Sequence, residues 1–391
     1  MHLKFKKLLI VKSTTNLELH TYLIIAGEQS ADNHGTSLMK AMQTHTPEIE
    51  FRGIGGKKMI DAGLNSIEDI DKMAVMGFVE IIRHICFFRN VTKQVLEEID
   101  KWQPKQIILI DYPGFNLRLA KKIKDSFDIP ITYYISPQLW AWKESRIKII
   151  RKYIDQMLVI FPFEEEWYRE RRVEAKFVGH PIFDEWSPSS QKELCKLLNL
   201  NPEKPIITLY PGSRLQEIKC HLPILVQAAA KLRKDDERLQ FILGAAQKLD
   251  LTNWIIPDWI HIETEQPQKA LECADLALVA SGTSTLEAAV FGTPMIIIYK
   301  MAILSWWLSK LLVKVPYAGM VNIIAGRKII PELLQENANQ DRVYIKASEL
   351  LSNPEILKDM KEELRLVQAS LKGNGASEQA ASFILELNNQ N

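Results

Sequence analysis

The chain has almost no net charge, few cysteines and no long apolar run, and each absence excludes a class of protein. A formal charge of +1 gives no general attraction to nucleic acid. No stretch approaches the roughly 20 apolar residues of a membrane-spanning helix, and the basic start has only four consecutive apolar residues, Leu8 to Val11. The four cysteines lie far apart without a C-x-x-C pair, so neither a disulfide framework nor a zinc site is expected: Cys86, Cys195, Cys220 and Cys273. These features predict a cytoplasmic protein.

The length and composition predict two globular domains. A chain of 391 residues exceeds one ordinary core, and 47% hydrophobic and 25% charged residues are typical of globular proteins. Proline, serine and charged residues mix near 183–205, which indicates a connection. We therefore expect an N-terminal domain over 1–184, a linker over 185–204, a C-terminal domain over 205–365 and a helical tail over 366–391.

Short apolar runs alternate with longer amphipathic stretches in both halves, which is typical of parallel strands covered on both faces. This pattern predicts an α/β fold of two doubly wound, Rossmann-like domains facing a central cleft, with ligands bound beyond the carboxyl ends of the strands. The glycines of FRGIGG (51–56) do not form a dinucleotide fingerprint. The expected strands are Thr21–Ala26, Gln106–Ile110, Ile131–Ile135, Gln156–Ile160, Ala175–Val178, Pro205–Tyr210, Leu239–Leu243, Leu276–Ala280 and Met295–Tyr299.

Two strand ends in the first half carry acidic side chains. In AGEQSADNHG (26–35), Glu28 or Asp32 can accept hydrogen bonds from a substrate, although Asp32 is equally well explained as a helix N-cap. Asp111 directly follows four apolar residues, and partial burial in a cleft would raise its pKa and make it a better base. The alternative for Asp111 is a structural Asx turn.

Two strand ends in the second half are suited to a diphosphate. In LYPGSR, Gly212 allows a close backbone approach, Ser213 can donate, and Arg214 offers a bidentate fork for phosphate oxygens. The alternative is that Arg214 only pairs with Glu217.

The segment VASGTSTLEAAVFGTP (279–294) contains the second strand end that is suited to a diphosphate. It predicts a turn at Ser281 and Gly282, then a helix on which Thr283 and Glu287 share one face. Free N–H groups at the helix start suit a phosphate, and Glu287 could accept hydrogen bonds from sugar hydroxyls. The alternative is a capping box formed by Ser284 and Glu287.

Two basic, aromatic segments are typical of interfacial binding to anionic lipid. Segments 74–93 and 305–320 each place an apolar face beside basic residues, and core packing is the alternative for either one alone. The apolar residues are Phe78, Ile81, Ile82, Ile85, Phe88, Trp306, Trp307, Leu308, Leu311 and Leu312; the basic ones are Arg83, His84, Arg89, Lys93, Lys310 and Lys314.

Taken together, the motifs resemble the lipid-A-disaccharide synthase family over roughly 21–335, in family order. The matching segments are AGEQSADNHG, FRGIGG, MAVMGFVEII, IDYPGFNLRLAKKIK, YYISPQLWAWKESRIKII, FPFEEEWY, FVGHP, LYPGSR, LVASGTSTLEAAVFGTPM and LVKVPYAGMVNIIAGRKIIPELLQ. The resemblance implies the glycosyltransferase B fold and an inverting transfer from UDP-2,3-diacylglucosamine to 2,3-diacylglucosamine 1-phosphate. It implies no cofactor and no metal ion, and no D-x-D metal clip is evident in the expected cleft.

The resemblance also assigns residues. It makes Asp111 the essential acid and matches Glu28 and Ser30 to the acceptor-side loop. Glu28 is expected to be catalytic together with Asp111, and Ser30, Asp32 and Asn116 are expected on the acceptor side. The residues expected on the UDP side are Gly212, Ser213, Arg214, Ser281, Gly282, Thr283, Glu287 and Asn322. Two positions depart from the family: Ala31 replaces the usual glycine of S-G-D, and Gly114 stands where many members have a second aspartate.

Asp111 is the expected base for the acceptor 6-hydroxyl, with His34 as the rival. The partners expected are the two sugar lipids and the inner-membrane surface, with no nucleic acid, and a homodimer is left open. An epimerase or transferase of this fold acting on a soluble UDP-sugar is one alternative function. A nucleotide-sugar-binding protein without catalysis is another.

Overall fold

The protein is described from a computed structural model that covers residues 20–70, 73, 81–245, 254–302, 306 and 315–389. Within these ranges the chain forms two parallel β-sheets, each flanked by helices. The first sheet has the order β3-β2-β1-β4-β5-β6-β7, and the second has the order β10-β9-β8-β11-β12-β13. In each sheet the order of the strands therefore reverses beside the first strand in sequence, β1 or β8, as in doubly wound folds.

The strands of the first sheet are β1 His20–Ala26, β2 Ile49–Gly55, β3 Leu64–Asp69, β4 Gln106–Ile110, β5 Ile131–Tyr134, β6 Gln156–Val159 and β7 Ala175–Phe177. The helices among them are α1 Gln29–His45, α2 Lys57–Asp61, α3 Ile81–Trp102, α4 Pro113–Lys124, α5 Ile147–Tyr153 and α6 Pro162–Glu170. The two faces of β1 pack into different clusters, since Leu23 and Ile25 lie in one and Ile24 in the other. Burial on both faces explains the continuous apolar run in this strand.

The strands of the second sheet are β8 Ile206–Tyr210, β9 Gln240–Gly244, β10 Ile260–Glu263, β11 Leu276–Ala280, β12 Met295–Tyr299 and β13 Glu332–Leu334. The helices after β7 are α7 Ile182–Glu185, α8 Gln191–Leu197, α9 Leu215–Asp235, α10 Pro267–Glu272, α11 Thr283–Val290, α12 Met320–Ala325, α13 Gln340–Leu351, α14 Pro354–Lys372 and α15 Ala376–Asn389. Helix α8 lies within the expected linker, and its Leu194 and Cys195 pack with Ile206 and Ile242 of the second sheet.

The chain crosses between the two halves twice, and the crossings touch each other. The Cα of Gly373 lies 3.2 Å from where a Cβ on Gly179 would stand, and the His180 amide donates to the Leu371 carbonyl (2.9 Å). After the second crossing, α15 packs on α1 of the first half. Asp184 accepts hydrogen bonds from the amide of Ser377 (2.9 Å) at the start of α15. The C-terminal tail therefore returns to the N-terminal half.

Candidate active site

The acidic loops of the first half lie side by side because their strands are neighbours. Strands β1 and β4 pair with Ala26 opposite Ile110, so the segments beginning at Gly27 and Asp111 leave the same edge of the sheet. The carboxyl groups of Glu28 and Asp111 interact with each other across this edge. Ser30 is exposed, and its Oγ donates to Glu28 Oε1 (2.9 Å).

The Asp111 carboxyl has the electrostatic properties of a base. Burial raises its pKa from the ordinary value of 3.8 to about 7, and repulsion by the charge of Glu28 contributes in the same direction. A carboxylate with such a pKa binds a proton more readily than an exposed aspartate while still being substantially ionised at neutral pH. The arrangement can therefore accept a proton from a hydroxyl placed beside it.

The backbone that presents Asp111 is strained and firmly held. Asp111 and Tyr112 have φ angles of +44° and +47°, which side-chain-bearing residues rarely adopt. The Asp111 carbonyl accepts from Asn116 Nδ2 (2.7 Å) and from the Tyr133 hydroxyl (2.6 Å). Gly27 is required here, since a Cβ would lie 2.4 Å from the Tyr112 ring. Strain of this kind persists where neighbouring contacts determine the conformation, and it is common at active sites.

Two residues expected on the acceptor side, Asp32 and Asn116, make structural contacts. Asn116 is fully buried, and its Nδ2 also donates to the Ile110 carbonyl (3.1 Å), so this side chain holds the turn at Asp111 in place. Asp32 is fully buried as well, and its carboxylate accepts from the amides of Gly56 (2.8 Å) and Met59 (3.1 Å) at the start of α2. Backbone amides use both carboxylate oxygens of Asp32, and two backbone carbonyls accept from Asn116 Nδ2, whereas Asn116 Oδ1 is buried without a partner among the described residues. Direct substrate contact by these two side chains therefore stays a prediction. Asp32 does cap a helix, but it caps α2 and not α1.

The rival base His34 has an unfavourable environment for proton transfer. Burial lowers its pKa from 6.5 to about 4, and the neighbouring His180 is buried more deeply. A neutral imidazole with so low a pKa binds protons weakly at neutral pH, which favours Asp111 as the base.

Gly114 stands where many members of the family have an aspartate. A Cβ at this position would meet no atom within 4 Å, so packing does not require a glycine here.

The two loops expected to hold a diphosphate also lie side by side. Strands β8 and β11 pair with Tyr210 opposite Val279, which brings the Gly212 turn and the Ser281 turn to one edge of the second sheet. Ser281 Oγ donates to the Ala318 carbonyl (2.9 Å). Gly282 and Thr283 are exposed, and their amides make no hydrogen bond within the described part of the chain. The start of α11 therefore offers free donors.

The Glu217 carboxylate occupies the other loop. Its Oε2 accepts from the amides of Ser213 (3.0 Å) and Arg214 (3.2 Å), and its Oε1 lies 3.5 Å from Arg214 Nη1. The pairing weighed against a phosphate role is therefore present. Gly212, with φ of +109°, leaves no space for a Cβ beside Glu217. A carboxylate that is bound by two amides and an arginine resembles bound phosphate oxygens, because both groups are negatively charged and both accept hydrogen bonds from such donors.

The Glu287 side chain is available to a ligand. Burial raises its pKa, and its carboxylate has no hydrogen-bond partner among the described residues. The capping box that Ser284 and Glu287 could form is absent, because no side chain caps the start of α11. The nearby Tyr210 ring lies against Gly244, where a Cβ would come within 2.6 Å of it.

Asn322, expected on the UDP side, is a structural residue here. It is fully buried; its Nδ2 donates to the Ile330 carbonyl (2.9 Å) and to Glu332 Oε1 (2.8 Å), while its Oδ1 accepts from the amides of Ile329 and Ile330 (both 2.9 Å). All the hydrogen-bonding capacity of its side chain is used, so a ligand contact through this side chain would require one of these bonds to break, and the role on the UDP side stays a prediction.

His221 is a site residue that the sequence did not reveal. It is fully buried in α9, its Nε2 accepts from the Lys300 amide (3.0 Å), and its Nδ1 therefore donates to the Pro211 carbonyl (3.0 Å). Burial lowers its pKa, which keeps the ring neutral. His221 thereby ties the loop after β8 to the loop after β12. A lone histidine in an amphipathic helix carries no signal of this role.

Comparisons with known proteins agree with this geometry. A family model described as Lipid-A-disaccharide synthetase matches residues 22–386. The lipid-A-disaccharide synthase of Coxiella burnetii (strain CbuG_Q212) is 38% identical over 369 residues, covering 93% of this chain and 98% of that protein. The enzyme of the same name from Syntrophus aciditrophicus (strain SB) is 39% identical over 373 residues, covering 93% and 97%.

Solved structures show the same fold at low sequence identity. The UDP-GlcNAc 2-epimerase from Neisseria meningitidis bound to UDP-GlcNAc has a TM-score of 0.60 at 11% identity, covering 95% of this chain and all of that one. The calicheamicin glycosyltransferase CalG4 has a TM-score of 0.59 at 14% identity, covering 95% and 98%.

Two parallel-sheet domains of this kind define the glycosyltransferase B fold, and the protein is a UDP-sugar-dependent glycosyltransferase of that class. The predicted fold class is thereby confirmed. The chain belongs to the lipid-A-disaccharide synthase family, whose reaction is a step of lipid A biosynthesis.

The expected lipid-facing segments lie largely outside the described residues. Residues 74–80, 303–305 and 307–314 are not described, nor are the side chains of 81–85. In the remainder of the chain, no helix is long and apolar enough to cross a membrane.

Proposed function

We propose that this chain transfers 2,3-diacylglucosamine from UDP-2,3-diacylglucosamine to the 6-hydroxyl of 2,3-diacylglucosamine 1-phosphate. The product is the β(1→6)-linked disaccharide 1-phosphate, and UDP leaves. Family membership supports the reaction, and the observation that carries the residue assignment is the Glu28–Asp111 carboxyl pair at the carboxyl ends of β1 and β4. The domain limits expected from the sequence also stay a proposal.

In this mechanism Asp111 is the general base. Its carboxylate removes the proton of the acceptor 6-hydroxyl as the hydroxyl oxygen attacks the anomeric carbon, and the bond to UDP breaks on the opposite face. The raised pKa suits this role because a carboxylate with a higher pKa has a higher affinity for the proton that it removes. The charge of Glu28 adds to the rise in pKa that burial causes, and the Ser30 hydroxyl holds Glu28 through its hydrogen bond.

The departing UDP is held by the loops of the second half. Arg214 and the amides of Ser213 and Thr283 offer positive charge and donors to the diphosphate, which stabilises the negative charge that develops as the bond breaks. Donor binding in this mode requires the Glu217 carboxylate to move off the Ser213 and Arg214 amides. The unpaired Glu287 carboxylate then accepts hydrogen bonds from sugar hydroxyls of the nucleotide.

Peripheral association with the inner membrane is part of this proposal. Both substrates carry acyl chains, and the two basic, aromatic segments around 74–93 and 305–320 have the composition of surfaces that bind anionic lipid. The segments also oppose the alternative of a soluble UDP-sugar as substrate, since such an enzyme needs no lipid-facing surface.

Product analysis tests the proposed function directly. The purified protein is incubated with both diacylated glucosamine substrates, and the products are analysed by mass spectrometry. A disaccharide 1-phosphate that depends on the UDP donor is the expected result. UDP binding without any product would instead favour the non-catalytic alternative, and turnover of soluble UDP-sugars alone would favour an epimerase or another transferase.

A further inference from the structure

The segment between β5 and α5 leaves the sheet beside Asp111. Strand β5 pairs with β4, with Tyr134 opposite Ile110, so the residues that follow each strand lie at the same edge. The segment begins with Ile135 at a φ of +64° and includes Lys143 at +54°, both rare for residues with side chains. Its course is therefore determined by specific contacts.

Buried contacts hold this segment in place. Ser136 Oγ and Trp140 Nε1 both donate to Oε1 of the fully buried Glu164 (2.7 and 3.0 Å). Glu144 is paired with Arg171 (2.9 Å) further along. A segment fixed at both ends can present side chains to a substrate at low entropic cost.

Arg146, at the end of this segment, is a cation without a carboxylate partner. Its side chain is partly buried and makes no ion pair or hydrogen bond with the described residues. Burial raises the pKa of the Tyr133 hydroxyl well above its usual range, and the charges of Asp111 and Arg146 act on that hydroxyl in opposite directions. The Tyr133 hydroxyl itself contacts the Asp111 carbonyl. Arg146 is also the N-cap of α5, the helix that connects β5 to the parallel strand β6, so it lies at the same edge of the sheet as Asp111.

The chemistry of the acceptor fits this placement. Its 6-hydroxyl and its anomeric phosphate project from the same pyranose ring, so a group that binds the phosphate must lie about one sugar ring from the base. A guanidinium matches a phosphate with two parallel hydrogen bonds, and partial burial strengthens the interaction. Lys143, whose Nζ lies 4.0 Å from the ring centroid of the exposed Trp142, adds positive charge to the same segment.

We propose that Arg146 binds the anomeric phosphate of the acceptor sugar and thereby selects a phosphorylated acceptor. This inference rests on the proposed function, and it assigns the phosphate a partner in the first half of the chain. The donor diphosphate is held separately, by the loops that follow β8 and β11.

The test compares the acceptor with its dephosphorylated form, 2,3-diacylglucosamine. The variant Arg146→Gln is expected to raise KM for the phosphorylated acceptor about 10- to 100-fold, the loss expected for charge-assisted hydrogen bonds. KM for the UDP donor and turnover of the dephosphorylated acceptor should stay near those of the unmodified enzyme. Arg146→Lys should restore part of the preference, since it keeps the charge but not the fork.

Arg118→Gln is the matched control. Arg118 is exposed in α4, lacks an ion-pair partner among the described residues and acts electrostatically on the neighbouring Tyr112. A general attraction of anions would depend on Arg118 and Arg146 alike, whereas direct phosphate binding depends on Arg146. Equal loss of phosphate preference in both variants would overturn the proposal, as would an unchanged preference in Arg146→Gln.

Binding measurements separate this inference from the proposed function. Binding of both acceptors in detergent micelles is measured by calorimetry on the full-length protein, without a donor. If no disaccharide forms with the unmodified protein, the proposed function fails, yet a phosphate preference in binding that Arg146→Gln removes still supports the Arg146 assignment. Absence of any binding preference in the unmodified protein would overturn that assignment.

Discussion

The substitution Glu28→Gln tests how the carboxyl pair sets the pH dependence of transfer. Burial is the larger cause of the raised Asp111 pKa and the Glu28 charge is the next, together moving it from 3.8 to about 7. Removing the Glu28 charge should therefore recover the smaller part of this rise, about 1 pH unit. The base must be ionised, so activity increases with pH through the Asp111 pKa, and a lower pKa moves this increase to lower pH.

The assay is the pH profile of kcat/KM, which reports essential groups of the free enzyme. In Glu28→Gln the acidic limb should move down by about 1 pH unit, so that well below the pKa the variant keeps roughly tenfold more of its plateau activity than the unmodified enzyme. The plateau itself should fall, because a base with a lower pKa is weaker. Glu28→Asp is the control, since it keeps the charge and should keep the limb near its original position.

Two outcomes would refute this reasoning. An acidic limb that does not move in Glu28→Gln would show that the charge of Glu28 does not act on the essential base. Complete loss of turnover at every pH, with UDP binding intact, would assign the base role to Glu28 itself.

Three further predictions follow from the contacts of the site. The variant Glu217→Gln should bind UDP about 5- to 10-fold more tightly by calorimetry, because its uncharged side chain competes less with the diphosphate for the backbone amides of Ser213 and Arg214. The affinity for uridine is the control and should not change, and weaker UDP binding would contradict the prediction. Gly27→Ala should lower the free energy of unfolding by about 1–3 kcal/mol in thermal denaturation and reduce turnover, since the Cβ overlaps the Tyr112 ring; unchanged stability would contradict the close contact. His221→Phe should leave the Lys300 amide and the Pro211 carbonyl without their partner and lower stability by about 2–4 kcal/mol, with weaker UDP binding; a stable variant with normal UDP affinity would remove this role.

The strands with continuous apolar runs could be predicted closely from sequence, as could the edge strand β7, whereas β2 and the edge strands β3, β10 and β13 were missed. Strands β4, β11 and β12 have the predicted bounds, because burial on both faces requires a continuous apolar run. The missed strands, β2, β3, β10 and β13, contain charged or partly exposed residues, such as those of β13, none of which is fully buried. A strand with one solvated face does not stand out from a polar loop in a single sequence.

The candidate site was predicted at the level of strand ends and not of individual contacts. Asp111 and Glu28 follow buried strands, which places them at a ligand-binding edge. Their adjacency depends on β1 pairing with β4, which chain order does not specify. Asp32 and Asn322 look like ligand-binding residues in sequence, yet their side chains are hydrogen-bonded within the protein, as is the amide nitrogen of Asn116. A sequence shows which groups can form hydrogen bonds but not which partners they find.

The most direct test of the account is to measure turnover and UDP affinity together for Asp111→Asn. The amide has nearly the shape of the carboxyl but cannot accept the hydroxyl proton, so turnover should fall by about 10²- to 10⁴-fold while the Kd for UDP stays within about twofold of that of the unmodified enzyme. Turnover comparable to that of the unmodified enzyme would show that Asp111 is not the base, and parallel losses of turnover and UDP binding would show that it serves the nucleotide or the fold instead.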